Sequence, residues 1–518
     1  MLKKIKILST SDVHGFIYPT DYSSPDKTTP LGLLKAGSLI RRIKDQSQPD
    51  ELVLAVENGD LIQGSPLTSY LADHPQSDQS FLTKITSKIG YQAGILGNHE
   101  FNFGLEFLRH AESQRNYPLL GANLHGHDRT GISDRTYQII EEQGVKIAIL
   151  GLTTAFVPNW EAPKNLGDLQ FESILSTAAR LLPSLRSLAD VVIVAYHGGF
   201  EADLTTGQAT EPVTTENEGY RLLTSIPGID ALITGHQHRK LAGHLNGVPY
   251  TQPGLHGTYV GEIELTLDQA HHVVSSTSQL LPTANEPLDP NIMPSSALED
   301  QVQGWLSQSL GEHVGASMRI ADPLTARQHG HPYLTFVNQV QMDAVDTDIA
   351  ATALFNDELT GFPTKLTLRD IFNNYPYPNL AVAELVTGRE LRQALEQCAS
   401  FFQINCGQLQ INPKFCEPKP QLFNYDLYTG INYEFDIRKP IGHRVTYLTY
   451  HEKAVTEEQQ LIVAMNNYRA IGGGNYPMFA SSKIQRQSQK TIPNLMIDYL
   501  KNHQPYQAQS PHNFSLKF

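Results

Sequence analysis

The chain is 518 residues long, too long for one ordinary core, so two large domains are expected. Its 39 Lys and Arg against 53 Asp and Glu give a formal charge of -14, which argues against a surface built to hold a nucleic-acid polymer or an anionic membrane. No apolar run approaches the roughly 20 residues that span a bilayer, and the three cysteines, Cys398, Cys406 and Cys416, lack the spacing of a disulfide framework or a cysteine zinc site.

The N-terminus "MLKKIKILSTSD" is basic, but its apolar stretch is too short for a signal sequence, so a strand is expected almost at once and the cytoplasm is the expected compartment. From there the first half repeats one pattern, a short β-branched apolar run that stops at residues able to bind metal. "KIKILSTSDVHG" ends in Asp12 and His14, "GLLKAGSLIRRIKD" follows with helical spacing, "ELVLAVENGD" ends in Asp60, and "AGILGNHE" in Asn98 and His99. After a second helix, "ILSTAARLLPSLRSL", come "DVVIVAYHGG", ending in His197, and "IDALITGHQH", ending in His236 and His238. Strand and helix alternate as in a layered α/β domain, whose strand carboxyl ends leave room for a site. A last strand, "YVGEIELTL", precedes the Pro-rich connection "LPTANEPLDPNIMPSS" and two amphipathic helices, around "ALEDQVQGWLSQSL" and "YLTFVNQVQMDAV". The junction is placed between these helices, near 320, which gives domains 1–320 and 325–518.

The second domain mixes strands, "AVAELV" and "QLIVAM", with the helix "TGRELRQALEQCASFF". There Thr387 and Glu390 have capping-box spacing, and Leu391, Leu395 and Cys398 share one helical face. Two stretches are rich in aromatics: "QLFNYDLYTGINYEFDI" gathers Phe423, Tyr425, Tyr428 and Tyr433, and "MNNYRAIGGGNYPMF" runs a strand into Asn467, Tyr468, Arg469 and a glycine turn. Aromatic faces stack on nucleobases whatever the base. Alternate strand positions also fill cores, and that is the expected place of Tyr425 and Tyr433.

The five strand ends together offer two carboxylates, one amide oxygen and four imidazoles, enough for two divalent ions sharing a bridging carboxylate. This series resembles the calcineurin-like metallophosphoesterases, and the length with its second domain resembles their 5'-nucleotidase branch. The resemblance implies an α/β protein: an N-terminal four-layer α/β/β/α metallophosphoesterase domain with a C-terminal α+β 5'-nucleotidase-type substrate domain. It implies a first metal held by Asp12, His14, Asp60 and His238 and a second held by Asp60, Asn98, His197 and His236. His99 then matches the family's catalytic histidine, beside the metals and not a ligand, while Glu100 is expected to anchor the loop. Mixed nitrogen and oxygen donors suit Mn²⁺, Zn²⁺, Co²⁺ or Fe. Two such ions roughly 3.5 to 4 Å apart would activate water for in-line attack on a phosphoester. His99 would stabilise the transition state or give a proton to the leaving alkoxide.

Finer details resemble the 2',3'-cyclic-nucleotide 2'-phosphodiesterase/3'-nucleotidase subgroup, in which two aromatic side chains sandwich the base. On that match Phe423 and Tyr468 are the clamp. Asn102, three residues after His99, points the same way, because 5'-nucleotidases carry an aspartate there and this subgroup an asparagine. An amide orients an imidazole but brings no charge of its own. The implied activity is hydrolysis of 2',3'-cyclic nucleotides and of the 3'-nucleotides that result. The substrate is a small-molecule nucleotide, and the residues carry no signal for an oligomeric state. The alternatives are a 5'-nucleotidase or UDP-sugar hydrolase, and a non-catalytic nucleotide-binding protein. One departure stands out: 5'-nucleotidases have a Gly-Gly-x-Arg phosphate site where this chain has "ATALFNDELTGF". Arg369 and Arg469 are the nearest arginines, each equally suited to an ion pair.

Overall fold

The apolar runs that end in metal-binding side chains become neighbouring strands of two six-stranded sheets. The computed structural model describes residues 3–25, 27–133, 135–417 and 420–518, and the chain divides into two units, Met1–Val302 and Gln303–Phe518. In the first unit one sheet runs Val273–Pro282, Tyr259–Leu267, Lys3–Thr10, Glu51–Glu57, Ala93–Ile95, Leu119–Leu120. The other runs Lys240–Leu245, Val248–Pro253, Ala231–Ile233, Val191–His197, Val145–Thr153, Tyr137–Glu142. Lys3–Thr10 lies parallel to Glu51–Glu57 with Ile7 opposite Leu54, and Ala231–Ile233 lies parallel to Val191–His197 with Leu232 opposite Val194.

Alternation decides which side chains meet. Ile5, Ile7, Leu52, Leu54 and Val56 of the first sheet are buried against Ile147, Ile149, Val191, Ile193 and Ile233 of the second. Each such side chain contributes about 1.5 to 3 kcal/mol by leaving water. The second sheet's outer face, including Leu150, Val192 and Val194, is covered through Ala178, Leu182 and Leu185 of the helix Ile174–Leu188. The helix Leu33–Asp45 buries Leu33, Leu34, Leu39 and Ile40 and packs on Glu51–Glu57 and Tyr259–Leu267. The layers are therefore α/β/β/α, and the parallel strands open their carboxyl ends on a common edge. Val145–Thr153 is a buried strand that the ligand-end pattern does not mark, since Thr153 and Thr154 at its end are not metal-binding side chains.

In the second unit a five-stranded sheet runs Asp426–Thr429, Ile349–Ala353, Gln460–Asn466, Leu380–Thr387, Ile484–Thr491, and the helix Pro332–Val345 packs across it. The capping box forms: Glu390 N donates to Thr387 Oγ1 at 3.3 Å and Thr387 N to Glu390 Oε2 at 2.9 Å, with Leu391, Leu395 and Cys398 buried. The helix begun by "ALEDQVQ" stops at Leu306, and Ser309–Gly315 becomes a strand paired with Lys365–Thr367 and Tyr506–Ala508. The division between units thus falls inside that helix, N-terminal to the junction expected near 320. Cys398, Cys406 and Cys416 are free thiols. Among the described residues no helix is long and apolar enough to cross a membrane.

Candidate active site

The backbone leaves the strand ends by turning into the left-handed region at the ligand positions themselves. Asp12 has φ 55°, His14 53°, Asp60 53°, His236 67° and His238 57°. For a residue with a Cβ this conformation costs about 1 to 2 kcal/mol. The reversals aim side chains from three of the five strand ends at one spot, and they require close backbone approach. A Cβ on Gly59, at φ 82°, would strike Gly97 and His197 Nδ1, and one on Gly97 would strike the Asp60 carboxylate.

Three groups of convergent donors result: Asp12 with His14 and His238, His14 with Asp60 and His99, and Asp60 with His197 and His236, each with ligand atoms within 4.8 Å of one another. His14 Nε2 faces His238 Nε2 at 3.0 Å, and His238 Nε2 lies 3.5 Å from Asp12 Oδ1. Asp60 Oδ2 stands between the groups, 3.8 Å from His14 Nε2 and 3.2 Å from His197 Nε2. Asn98 Oδ1 faces His236 Nδ1 at 2.8 Å. All seven expected ligands are brought together.

Outer contacts fix which nitrogen points inward. His14 Nδ1 lies 2.8 Å from the Gln63 carbonyl and His197 Nδ1 2.6 Å from the Asn58 carbonyl, so both donate outward and turn Nε2 toward the centre. His236 Nε2 lies 3.2 Å from Glu216 Oε1, which leaves Nδ1 facing Asn98. Burial drives His14 down to about 4, toward the neutral imidazole that binds metal. Burial also works against charge on Asp60 and His197, but their mutual attraction outweighs it, holding the Asp60 carboxyl well below its usual range and lifting His197 to about 10. Asp60 Oδ2 and His197 Nε2, 3.2 Å apart, are buried with no hydrogen-bond partner beyond one another. Convergent imidazole and carboxylate groups around a shared, buried Asp60 carboxylate fit a pair of divalent cations.

His99 sits against this cluster, its ring 5.1 Å from that of His14 and edge-on to it. Its backbone N–H donates to Asp60 Oδ1 at 2.8 Å, and its Nδ1 lies 2.7 Å from Asn102 Oδ1. Asn102 Nδ2 in turn donates to Glu161 Oε2 at 2.6 Å. Glu161 is a functional neighbour that the motif spacing does not reveal; it follows the unmarked strand Val145–Thr153, and beside it Trp160 stacks on His236 at 5.3 Å. Glu100 anchors the loop as expected, accepting from the backbone N–H groups of Asp60, Leu61, Ile62 and Gly97 at 2.8, 2.6, 3.3 and 2.6 Å. Glu100→Ala strands four buried donors and should lower unfolding stability by about 3 kcal/mol or more. Chemical denaturation of the metal-free protein reads this, and a midpoint unchanged from wild type would remove the anchoring role.

In the second unit Phe423 and Tyr468 are half-buried neighbours, their ring centroids 6.1 Å apart and their planes at 75°. They meet edge to face, so a base held between parallel faces requires one ring to turn. Tyr425 and Tyr433 are core, 0% and 2% exposed. Arg469 is buried and committed to protein contacts: Nε and Nη2 donate to Asp426 at 2.7 and 3.2 Å, Nη2 to the Phe423 carbonyl at 2.7 Å, and Nη1 to the Gly473 carbonyl. It ties the two aromatic loops together and has no guanidinium edge turned to a phosphate. Arg369 donates to Gln303 Oε1 at 2.9 Å.

Two layered sheets with convergent His and Asp groups at their strand ends define a dinuclear metallophosphoesterase site. Residues 5–240 match the family Calcineurin-like phosphoesterase, and residues 313–481 match 5'-nucleotidase, C-terminal domain. A crystal structure of a candidate 5'-nucleotidase from Staphylococcus aureus, in complex with alpha-ketoglutarate, is similar over 100% of both chains, with 36% identity and a TM-score of 0.91. The Haemophilus influenzae 2',3'-cyclic-nucleotide 2'-phosphodiesterase/3'-nucleotidase is 27% identical over 96% of this chain and 84% of its own. The trifunctional nucleotide phosphoesterase protein YfkN of Bacillus subtilis is 27% identical over 99% of this chain, which spans only 39% of YfkN. The chain belongs to the calcineurin-like phosphoesterases that carry a 5'-nucleotidase C-terminal domain, a family of phosphoric ester hydrolases with a dinuclear metal centre.

Proposed function

We propose that the protein is a two-metal nucleotide phosphohydrolase that opens 2',3'-cyclic nucleotides and acts on the 3'-nucleotides that result. The observation that carries the reading is the set of three converging His and Asp groups, two of which share Asp60 and one of which includes His99. For the substrate, support comes from the near full-length similarity to the Haemophilus influenzae enzyme and from the amide at Asn102.

Asp12, His14, Asp60 and His238 would hold one cation, and Asp60, Asn98, His197 and His236 the other. Divalent cations there supply Lewis acidity toward the phosphoryl oxygens and lower the pKa of water. His99, with Nδ1 committed to Asn102, offers Nε2 to the leaving oxygen; as a water oxygen bonds to phosphorus and gives up a proton, the P–O bond to the leaving oxygen breaks, its electron pair stays on that oxygen and the His99 proton moves onto it.

Phe423 and Tyr468 would receive the base. Stacking is worth about 1 to 3 kcal/mol per base, so Phe423→Ala or Tyr468→Ala should raise KM for 2',3'-cyclic AMP by about tenfold and leave bis(p-nitrophenyl) phosphate, which has no base, unchanged. Equal effects on both substrates would remove the clamp from the reading.

The second reading is a 5'-nucleotidase, favoured by the Staphylococcus aureus similarity. Purified protein with Mn²⁺ and a panel of 2',3'-cyclic AMP, 3'-AMP, 5'-AMP and UDP-glucose separates the two. We expect the highest kcat/KM on 2',3'-cyclic AMP. Turnover of 5'-AMP far above it selects the second reading, and nucleotide binding without hydrolysis in Mn²⁺, Zn²⁺ and Co²⁺ selects a non-catalytic protein.

A further inference from the structure

The amide at position 102 has a carboxylate behind it. We infer that Glu161 is a positioning residue for His99, acting through Asn102 so that a His–Asn–Glu relay supplies in two steps the orientation that an aspartate at position 102 would supply in one. This rests on the reading of His99 as the proton donor to the leaving oxygen.

The geometry leaves Asn102 one role. Its Oδ1 accepts from His99 Nδ1 at 2.7 Å, which fixes its Nδ2 on the far side, and Nδ2 donates to Glu161 Oε2 at 2.6 Å. Because the amide's two ends differ, it can accept from the imidazole only while an acceptor is held behind it. Glu161 is itself held: Oε1 accepts from the Ala162 backbone N–H and from Asn165 Nδ2, both at 2.8 Å. Asn165 Nδ2 also reaches the Asn102 carbonyl at 3.2 Å, closing the ring Asn102–Glu161–Asn165. Burial raises the Glu161 carboxyl above its ordinary range, more than the three N–H donors lower it, so what it hands on to Asn102 is orientation. Trp160, next in the chain, stacks on His236, so the segment that carries the carboxylate is also fixed against a residue of the metal cluster.

The test separates leaving groups. Protonation matters for an alkoxide, as in 2',3'-cyclic AMP, and little for p-nitrophenolate, as in bis(p-nitrophenyl) phosphate. Glu161→Ala should lower kcat on 2',3'-cyclic AMP by about tenfold and on bis(p-nitrophenyl) phosphate by less than about twofold, with KM unchanged on both. Glu161→Gln, which keeps the size and one acceptor oxygen but turns the other into a donor, should fall between wild type and alanine. In a His99→Ala background Glu161→Ala should cost nothing further, since its route to the substrate is gone. Selective ¹⁵N labelling of histidine in the metal-free protein gives a readout independent of turnover: the His99 Nδ1–H tautomer should persist in wild type and be lost in Glu161→Ala. Equal losses on both leaving groups, or an undiminished loss in the His99→Ala background, overturn the relay and leave Glu161 a purely structural residue. If His99→Ala itself fails to discriminate the leaving groups, the proton-donor reading falls and the relay falls with it.

Discussion

Asp60→Asn should lower kcat by about ten-thousandfold and leave at most one divalent ion bound per chain. The substitution is chosen to spare the backbone. Asp60 sits at φ 53°, a conformation that asparagine tolerates better than most residues, and an asparagine Oδ1 still accepts from the His99 backbone N–H. What it loses is the charge and one lone-pair oxygen of Oδ2, the atom 3.8 Å from His14 Nε2 and 3.2 Å from His197 Nε2. An amide nitrogen there is a donor facing imidazole lone pairs and cannot join two cations. Metal analysis of the dialysed protein, paired with kcat on the preferred substrate, checks both halves; retention of two ions would show that Asp60 is not shared.

His99→Ala should cost about a thousandfold in kcat while both ions stay bound, within the range that a positioned acid or base contributes. The separation from the first prediction follows from Nδ1, which is occupied by Asn102 at 2.7 Å and so leaves His99 a single free nitrogen against the cluster. Geometry alone does not set His99 apart, since it falls within the same 4.8 Å grouping as His14 and Asp60. Metal content in the alanine variant therefore decides its class: loss of an ion would make His99 a ligand. Asn102→Ala, which removes orientation but keeps the imidazole, should cost about tenfold. A loss equal to that of His99→Ala would mean that Asn102 does more than orient.

Much of the site was legible because its donors end strands. Asp12, His14, Asp60, Asn98, His197, His236 and His238 each follow an apolar run, and the parallel order of those runs converts sequence position directly into place. Glu161 had no such marker. It reaches Asn102 across 59 positions from a segment without periodicity, after a strand whose end carries no metal-binding side chain. Arg469 illustrates a second obstacle: its residue type suits a phosphate and an ion pair equally, and only the contacts with Asp426 and two carbonyls decide between them. The end of the helix Ala297–Leu306 shows a third, since Ser309–Gly315 is a strand only because Lys365–Thr367 and Tyr506–Ala508, distant in sequence, lie beside it.

The left-handed backbone at Asp12, His14, Asp60, His236 and His238 bears on how such a chain drifts over generations. Glycine adopts that conformation without penalty, so at these five positions the residue best for folding and the residue best for chemistry are different. While the activity is under selection the side chains are retained at a cost in stability. Once selection lapses, replacement by glycine relieves backbone strain and dismantles the cluster in the same step. Glycine at positions matching His14 or His238 is therefore the signature to look for in relatives that have kept the fold and abandoned hydrolysis.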